Sequence, residues 1–465
     1  MRMNSTKLTW LCAGVLALGL SACTAPKPGG TKPSTYRVNP LITQAAALAS
    51  SHDTLTGQAK TDNAREIERI IAGLDNAALS NEANLLRDGD PLYNFIGREL
   101  LRRGLTLPRP FDREGHWRFS AGSRPPADRD GYRPPRKLAV LLPLTGAMAA
   151  ASSPVRDGLL AGYYGEHRQK PEIVFYDTTG TPAGAVAAYQ KAGSEGADYV
   201  VGPLGRDEVG ALFKAAQLDV AILALNRGPT TPPNGHASFA LAPEDDGIAA
   251  AEYVLARKAR RVLVLVGSDD GMRRSVAAFR EHLLSRGGAV VETLTVAEKP
   301  ADSTVALQAA AQKEGGVDAV FLAMKGSQAR ALAPQLIAAG LAAKPRVSTA
   351  QLLSGTGKPE QDTLLDGIAF PAETWGVQGI PGLPSAESTG SMLSTARGPA
   401  AKLFAFGYDA WLLTAYLERL AGNANSKVDG ATGALRVDGF GNIVRTPSWS
   451  TFSNGQIIPL ARTGD

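Results

Sequence analysis

From Lys137 onward, short apolar runs alternate with longer stretches of helical spacing, and the alternation runs through once and then restarts. Lys137-Leu-Ala-Val-Leu-Leu142 is apolar without interruption after its first residue, as a strand buried on both faces requires. Helices are expected at about Ser153–Arg168, Pro182–Glu195 and Asp207–Ala216, with strands at Glu172–Tyr176, Tyr199–Val201 and Ala221–Leu225. That order is a doubly wound parallel sheet. A second round follows: helix Asp245–Ala256, strand Arg261–Val266, helix Arg273–Arg286, strand Ala289–Leu294, helix Ser303–Lys313, strand Ala319–Ala323, helix Gln328–Ala339 and strand Arg346–Thr349. Residues 137–465 are too many for one core, so the expectation is an α/β chain of two similar lobes. A long helix, Pro399–Leu420, and the segments Gly433–Val437, Ile443–Pro447 and Ser448–Phe452 return the chain to them. The expected boundaries are about 137–243 plus 375–425 for lobe 1, and 244–374 plus 426–465 for lobe 2.

Composition removes several function classes. The net charge is +5, and removing Arg2 and Lys7 with the first 22 residues leaves +3. No basic-aromatic stripe accompanies it, which argues against nucleic acid as a partner. Two cysteines exclude a disulfide scaffold and a multi-Cys zinc site, and the five histidines form no His-x-x-x-His pair. Gly355-Thr-Gly357-Lys358 lacks the glycine spacing of a phosphate loop, and Pro359 replaces its Ser/Thr. Gly439-Phe-Gly441 has no third glycine and reads as a hairpin turn. The pairs Asp245-Asp246 and Asp269-Asp270 read as helix-start caps rather than a cation site. No Gly-x-Ser-x-Gly elbow is present. The expectation is therefore no catalytic residue, no metal and no cofactor.

The first residues set the compartment. Arg2 and Lys7 precede a mostly apolar run, Leu8 to Leu20. Such a run is too short to span a bilayer, which takes roughly 20 residues, and suits a signal peptide. It ends in Leu20-Ser21-Ala22-Cys23, a lipobox. Cleavage after residue 22 leaves Cys23 to carry acyl chains, and each buried CH₂ contributes about 0.8 kcal/mol of membrane affinity. Thr24, rather than Asp, follows the cysteine, which favours sorting to the outer membrane of a Gram-negative cell. Residues 23–38, rich in Pro, Gly and Lys, read as a flexible tether.

Residues 39–104 read as a small all-α segment. Asn39-Pro40 starts one helix, Asp62 caps a second carrying Ile67, Ile70, Ile71 and Leu74, and Asp90-Pro91 opens a third that ends at Gly104. Helix pairs of this kind resemble tetratricopeptide units, but no 34-residue repeat is visible, and a small helical cap is the other reading. Residues 105–136 hold six prolines and seven arginines against four acids. They read as a solvated linker.

Two doubly wound lobes in this order resemble the type I periplasmic-binding-protein fold, whose strand-end loops face each other across a cleft. Leu142-Pro-Leu-Thr-Gly146, Val201-Gly-Pro-Leu204, Leu225-Asn226, Phe239-Ala-Leu-Ala-Pro-Glu-Asp245, Phe406-Gly-Tyr-Asp-Ala-Trp411 and Gly430–Asn442 are similar to the LppC-type lipoproteins. That family includes an outer-membrane activator of a bifunctional penicillin-binding protein. The resemblance implies a non-catalytic lipoprotein, anchored in the outer membrane and facing the periplasm. It would bind such a synthase, with peptidoglycan as a further contact, and regulate wall synthesis and cell shape. The best-known members carry a long helical repeat domain where this chain has its short helical segment.

The rival expectation is a lipoprotein receptor for an amino acid or wall fragment. The loops Pro143–Gly146 and Gly202–Gly205 would offer backbone N–H groups beside helix starts. Thr145, Gly146, Thr178, Gly202 and Asn226 are the candidate cleft residues for a carboxylate, and Asp177 for an ammonium group. The same glycines could instead serve only the loop conformation. Trp375, at the expected second crossover between lobes, could stack on a sugar in the cleft, anchor a partner, or pack in a core.

Overall fold

The computed structural model describes residues 39–112, 124–215, 217–299, 301–423 and 425–460. The signal peptide, Cys23 and the tether lie outside the described residues. No helix among the described residues is long and apolar enough to cross a membrane.

The amino-terminal segment is four helices: α1 (Pro40–His52), α2 (Gly57–Ala72), α3 (Asn76–Leu85) and α4 (Tyr93–Arg102). Asp62 lies inside α2, whose cap position is Thr56. The actual carboxylate cap is Asp75, which accepts from the Ala78 amide and starts a helix the sequence pattern hid. Ile67, Ile70, Ile71, Leu74, Leu79, Phe95, Ile96 and Leu100 form one buried core, which also takes in Leu107 and Phe111. The segment from 105 is therefore no solvated spacer at its start. Its far end is packed too: the Arg133 amide donates to Ala415 O at 2.9 Å, and the Tyr132 hydroxyl donates to Gln169 O at 2.9 Å. The prolines remove amide donors, but side chains anchor the stretch instead: Tyr132, Arg109 donating to Arg87 O at 2.8 Å and Arg133 donating to Glu418 at 2.7 Å.

Lobe 1 follows the expected order. It runs β1 (Lys137–Leu142), α5 (Ala149–Gly165), β2 (Glu172–Asp177), α6 (Pro182–Ser194), β3 (Tyr199–Val201), α7 (Arg206–Lys214), β4 (Ala221–Ala224) and a short β5 (Ala237–Ser238). The sheet order is β2-β1-β3-β4-β5, and every pair is parallel. Lobe 2 runs α8 (Pro243–Ala256), β6 (Arg261–Val266), α9 (Asp270–Ser285), β7 (Ala289–Thr295), α10 (Thr304–Ala311), β8 (Ala319–Ala323), α11 (Gly326–Ala338), β9 (Arg346–Ser348), α12 (Pro359–Asp362) and β10 (Ile368–Ala372).

The chain then crosses back through α13 (Thr374–Gln378), α14 (Ala386–Met392) and α15 (Ala400–Gly422). Helix α15 lies against α5 so closely that a β-carbon on Gly407 would sit 2.0 Å from Val155 O. Strands β11 (Val428–Asp429), β12 (Ala434–Val437) and β13 (Ile443–Thr446) form a small antiparallel sheet. Their Val428, Leu435, Val437 and Ile443 enter the lobe 1 core, and the Ser238 amide donates to Gly441 O at 2.9 Å. Residues 428–446 thus pack with lobe 1, not with lobe 2 as their position after residue 426 suggested. Only β14 (Ser448–Ser453) and β15 (Gln456–Pro459) join the second sheet, as its antiparallel edge. Three crossovers therefore connect the lobes: residues 239–242, Glu373 and Pro447.

Candidate functional site

The strand-end loops of lobe 1 are built around Asp177. Its carboxylate accepts from the Leu144 amide at 2.9 Å and the Thr179 amide at 2.8 Å, and from the Thr145 hydroxyl at 2.5 Å. The Thr145 hydroxyl, together with these amides, holds the Asp177 carboxyl below its ordinary range. Asp177 therefore fastens the loop after β1 to the loop after β2. Gly146 stands exposed at φ +81°, where an L-residue is strained.

Thr178, Gly202 and Asn226 are similarly occupied. Thr178 is fully buried, and its hydroxyl accepts from the Gly180 amide at 3.4 Å. Gly202 has φ +104°, and a β-carbon there would lie 2.0 Å from Leu141 O; only glycine fits. Asn226 donates to Leu204 O at 2.9 Å and accepts from the Arg227 amide at 2.9 Å. The structure thus joins Thr145 to the Asp177 carboxylate, with Gly146 and Thr178 next to them in the same two loops. The hydrogen bonds of Thr145, Asp177 and Thr178 shape these loops.

Trp375 departs from the cleft expectation. It is 2% exposed, stacks on Phe404 with ring centroids 5.1 Å apart, and donates its indole N–H to Pro384 O at 2.7 Å. An indole needs a partner when buried, and here the chain after α13 supplies one, so no face remains for a ligand or a partner.

The polar groups that converge between the lobes lie at the crossovers. Asp246, in the first turn of α8, accepts from the Ala350 amide at 3.1 Å and from Arg445 Nη2 at 3.2 Å. Lys402 Nζ, from α15, stands 4.0 Å from Asp246 and 3.7 Å from Glu373. One ionic knot therefore joins residues beside all three crossovers. Next to it, Asp245 receives both terminal nitrogens of Arg227 at 2.8 Å. Burial opposes the charge on Asp245, but the guanidinium outweighs it and keeps the carboxyl below its ordinary range. Neither aspartate caps α8: Pro243 and Ala242 begin that helix. Asp269, by contrast, does cap α9, accepting from the Gly271 amide.

A cavity of about 710 Å³ opens beside this knot, between α4, α8 and the β12–β13 hairpin, and a second of about 420 Å³ lies between α2, α4 and α9. Glu68 lies between Arg98 and Arg102, each 3.1 Å away. Burial works against its ionisation, yet the two guanidiniums hold the carboxyl down at about 2. Glu99, Glu252 and His282 place ligand-type atoms within 4.8 Å of one another. However, Arg103 donates to Glu99 at 2.8 Å, and Arg102 and Arg286 approach Glu99 and Glu252 at 3.8 Å. Three guanidiniums already balance these two carboxylates, so the cluster is an ion-paired junction and a poor cation site.

Comparison with known proteins places this architecture. A family model described as "LppC putative lipoprotein" matches residues 132–455. The chain belongs to the LppC family. Among LppC relatives, the penicillin-binding protein activator LpoA of Photobacterium profundum is 26% identical over 355 residues, covering 70% of this chain and 57% of its own. Its namesake from Pasteurella multocida is 26% identical over 333 residues, covering 70% of this chain and 55% of its own. The chain thus spans a little over half the length of these two curated relatives. Among solved structures, the LpoA (YraM) C-domain from Haemophilus influenzae, a regulator of PBP1A, aligns with TM-score 0.59 at 20% identity, over 70% of this chain and all of that domain. Full-length LpoA from the same organism gives 0.61 at 17% identity, over 90% of this chain and 78% of that one. An ABC transporter substrate-binding protein from Sphaerobacter thermophilus gives 0.51 at 17% identity, over 70% of this chain and 96% of that one. The lobes thus have the type I periplasmic-binding-protein fold.

The LppC motifs meet in space. Asp409, in Phe406-Gly-Tyr-Asp-Ala-Trp411, accepts from the Ala431 amide at 2.5 Å and the Thr432 amide at 2.8 Å, both in the Gly430–Asn442 motif. Sequence reasoning found both motifs but not this bond, nor Asp246, Glu373, Lys402 and Arg445 as partners. A buried acid in the first turn of a helix carries the same local signal as a cap.

Proposed function

We propose that this LppC chain is a non-catalytic lipoprotein of the outer membrane that binds a bifunctional penicillin-binding protein and raises its cross-linking activity. The observation that carries the reading is the family match from 132 to 455, which takes in both lobes and all three crossovers, to a family whose curated relatives are named penicillin-binding protein activators. The lipobox at Cys23 supports an anchor facing the periplasm. Activation would be a coupling free energy: binding that favours the active synthase conformation by about 1–3 kcal/mol changes its output about 5–150-fold. Peptidoglycan is a further contact of such an assembly.

The test is a reconstituted synthesis assay with the mature lipoprotein and the bifunctional synthase of the same cell. The expected result is more cross-linked product at saturating lipoprotein; unchanged cross-linking defeats the proposal. The receptor alternative has weaker support, because Thr145, Asp177, Thr178 and Asn226 bond one another or the backbone and Trp375 is buried.

A further inference from the structure

The helical segment touches both lobes. On the lobe 1 side, Phe440 and Val444 of the β12–β13 hairpin pack into the segment's own core. Phe95 meets Phe440 edge-on with centroids 4.7 Å apart, and the Arg98 guanidinium covers the Phe440 ring at 4.0 Å. Asn94 donates to Gly439 O at 3.4 Å. On the lobe 2 side, the turn after α2 abuts the end of α9. A β-carbon on Gly73 would stand 3.4 Å from Ser285 O, and Arg286 donates to Leu74 O at 3.5 Å. The polypeptide leaving the segment is itself fastened to lobe 1 at Tyr132 and Arg133.

We propose that residues 40–112 form a strap that fixes the angle between the two lobes, so that the clamshell is held at one opening instead of closing by hinge bending. Hinge closure moves one lobe against the other about a few connecting residues. Here it would have to slide the β12–β13 hairpin relative to α9. The strap has a continuous core and moves as one body, and a packed core is not continuously deformable. Closure must then break either the Phe440 contact or the Gly73 contact. The buried Asp246–Arg445 pair opposes the same movement at the crossovers. A partner that lifts the strap from either lobe would free the hinge, which gives the short helical segment a role other than reach. This inference is independent of which partner the lobes bind.

The test is the distance between spin labels at Ala187→Cys on α6 and Ala309→Cys on α10, in the full chain with Cys12→Ser and Cys23→Ser. A second label pair, Arg65→Cys and Glu281→Cys, reports whether the lobe 2 end of the strap is seated. The otherwise unaltered chain should show one narrow inter-lobe distance. Phe440→Asp should release the lobe 1 end. Gly73→Trp, at a position with φ −68° that accepts a side chain, should wedge off the lobe 2 end. Each should broaden the inter-lobe distribution or add a second separation. Three results overturn the proposal: two separations in the unaltered chain, an inter-lobe distance unchanged in both variants, or a lobe 2 end that stays seated in Gly73→Trp.

Discussion

Asp246 Oδ1 and Arg445 Nη2 lie 3.2 Å apart with side chains 8% and 3% exposed, and this pair ties the start of lobe 2 to the last strand before the third crossover. Removing one partner of a buried pair strands the other charge, at about 3–5 kcal/mol. Arg445→Ala should lose stability on that scale in chemical denaturation. The double variant Asp246→Asn with Arg445→Met should recover much of it, because no charge is left unpaired.

Gly158 and Gly407 make the α5–α15 crossing possible. A β-carbon on Gly158 would lie 1.9 Å from Phe404 O, and one on Gly407 2.0 Å from Val155 O. Overpacking typically costs about 1–3 kcal/mol, and backbone on both sides leaves little room to yield. Gly407→Ala should therefore lower the thermal midpoint clearly. Gly376→Ala, with nothing within 4 Å, is the control that should leave it within a degree or two.

Asp409 predicts a specific pH dependence. Burial pushes its carboxyl up to about 7, against the pull of the Thr432 and Ala431 donors. The folded state then keeps a proton that the unfolded state has released above its ordinary value of 3.8. Stability from this group falls as pH rises from about 4 to 7, and is flat above that. The stability difference between the natural chain and Asp409→Asn, measured in urea, should therefore shift in favour of the natural chain as pH drops through that window. The slope is on the order of 1 kcal/mol per pH unit. A difference that does not change with pH would mean Asp409 ionises normally.

Cys23→Ser removes the residue that the lipobox marks for acylation, so the variant should no longer fractionate with the outer membrane. Fractionation of cells expressing each form checks this. A variant that still sediments with outer membranes would point to a second anchor.

The lobes were legible where burial imposes a simple local pattern. Lys137–Leu142, Arg261–Val266 and Ala319–Ala323 are apolar runs that become central strands with the bounds read from sequence. Reading failed where the local pattern is shared by two outcomes. Strand β10, Ile368–Ala372, escaped notice because Pro371 interrupts it, and β5 is only two residues long. Asp62 looked like a cap and lies inside α2, while Asp75, the real cap, precedes an alanine-rich stretch with a weak apolar face. The proline-rich stretch looked unable to pack, yet Phe111 joins the segment's core and Tyr132 is buried against lobe 1.

By itself the sequence determined the alternation of strands and helices, the two-lobed class, the lipobox and the family motifs, because each depends on residues close together along the chain. Only the tertiary structure decided the partners. Asp177 accepts from the Thr145 hydroxyl, Trp375 stacks on Phe404, and Asp246 finds Arg445 almost two hundred positions away. Hydrogen bonds and ion pairs act over a few ångström in space, and nothing in the spacing of a charge along the chain says which opposite charge the fold will bring to it.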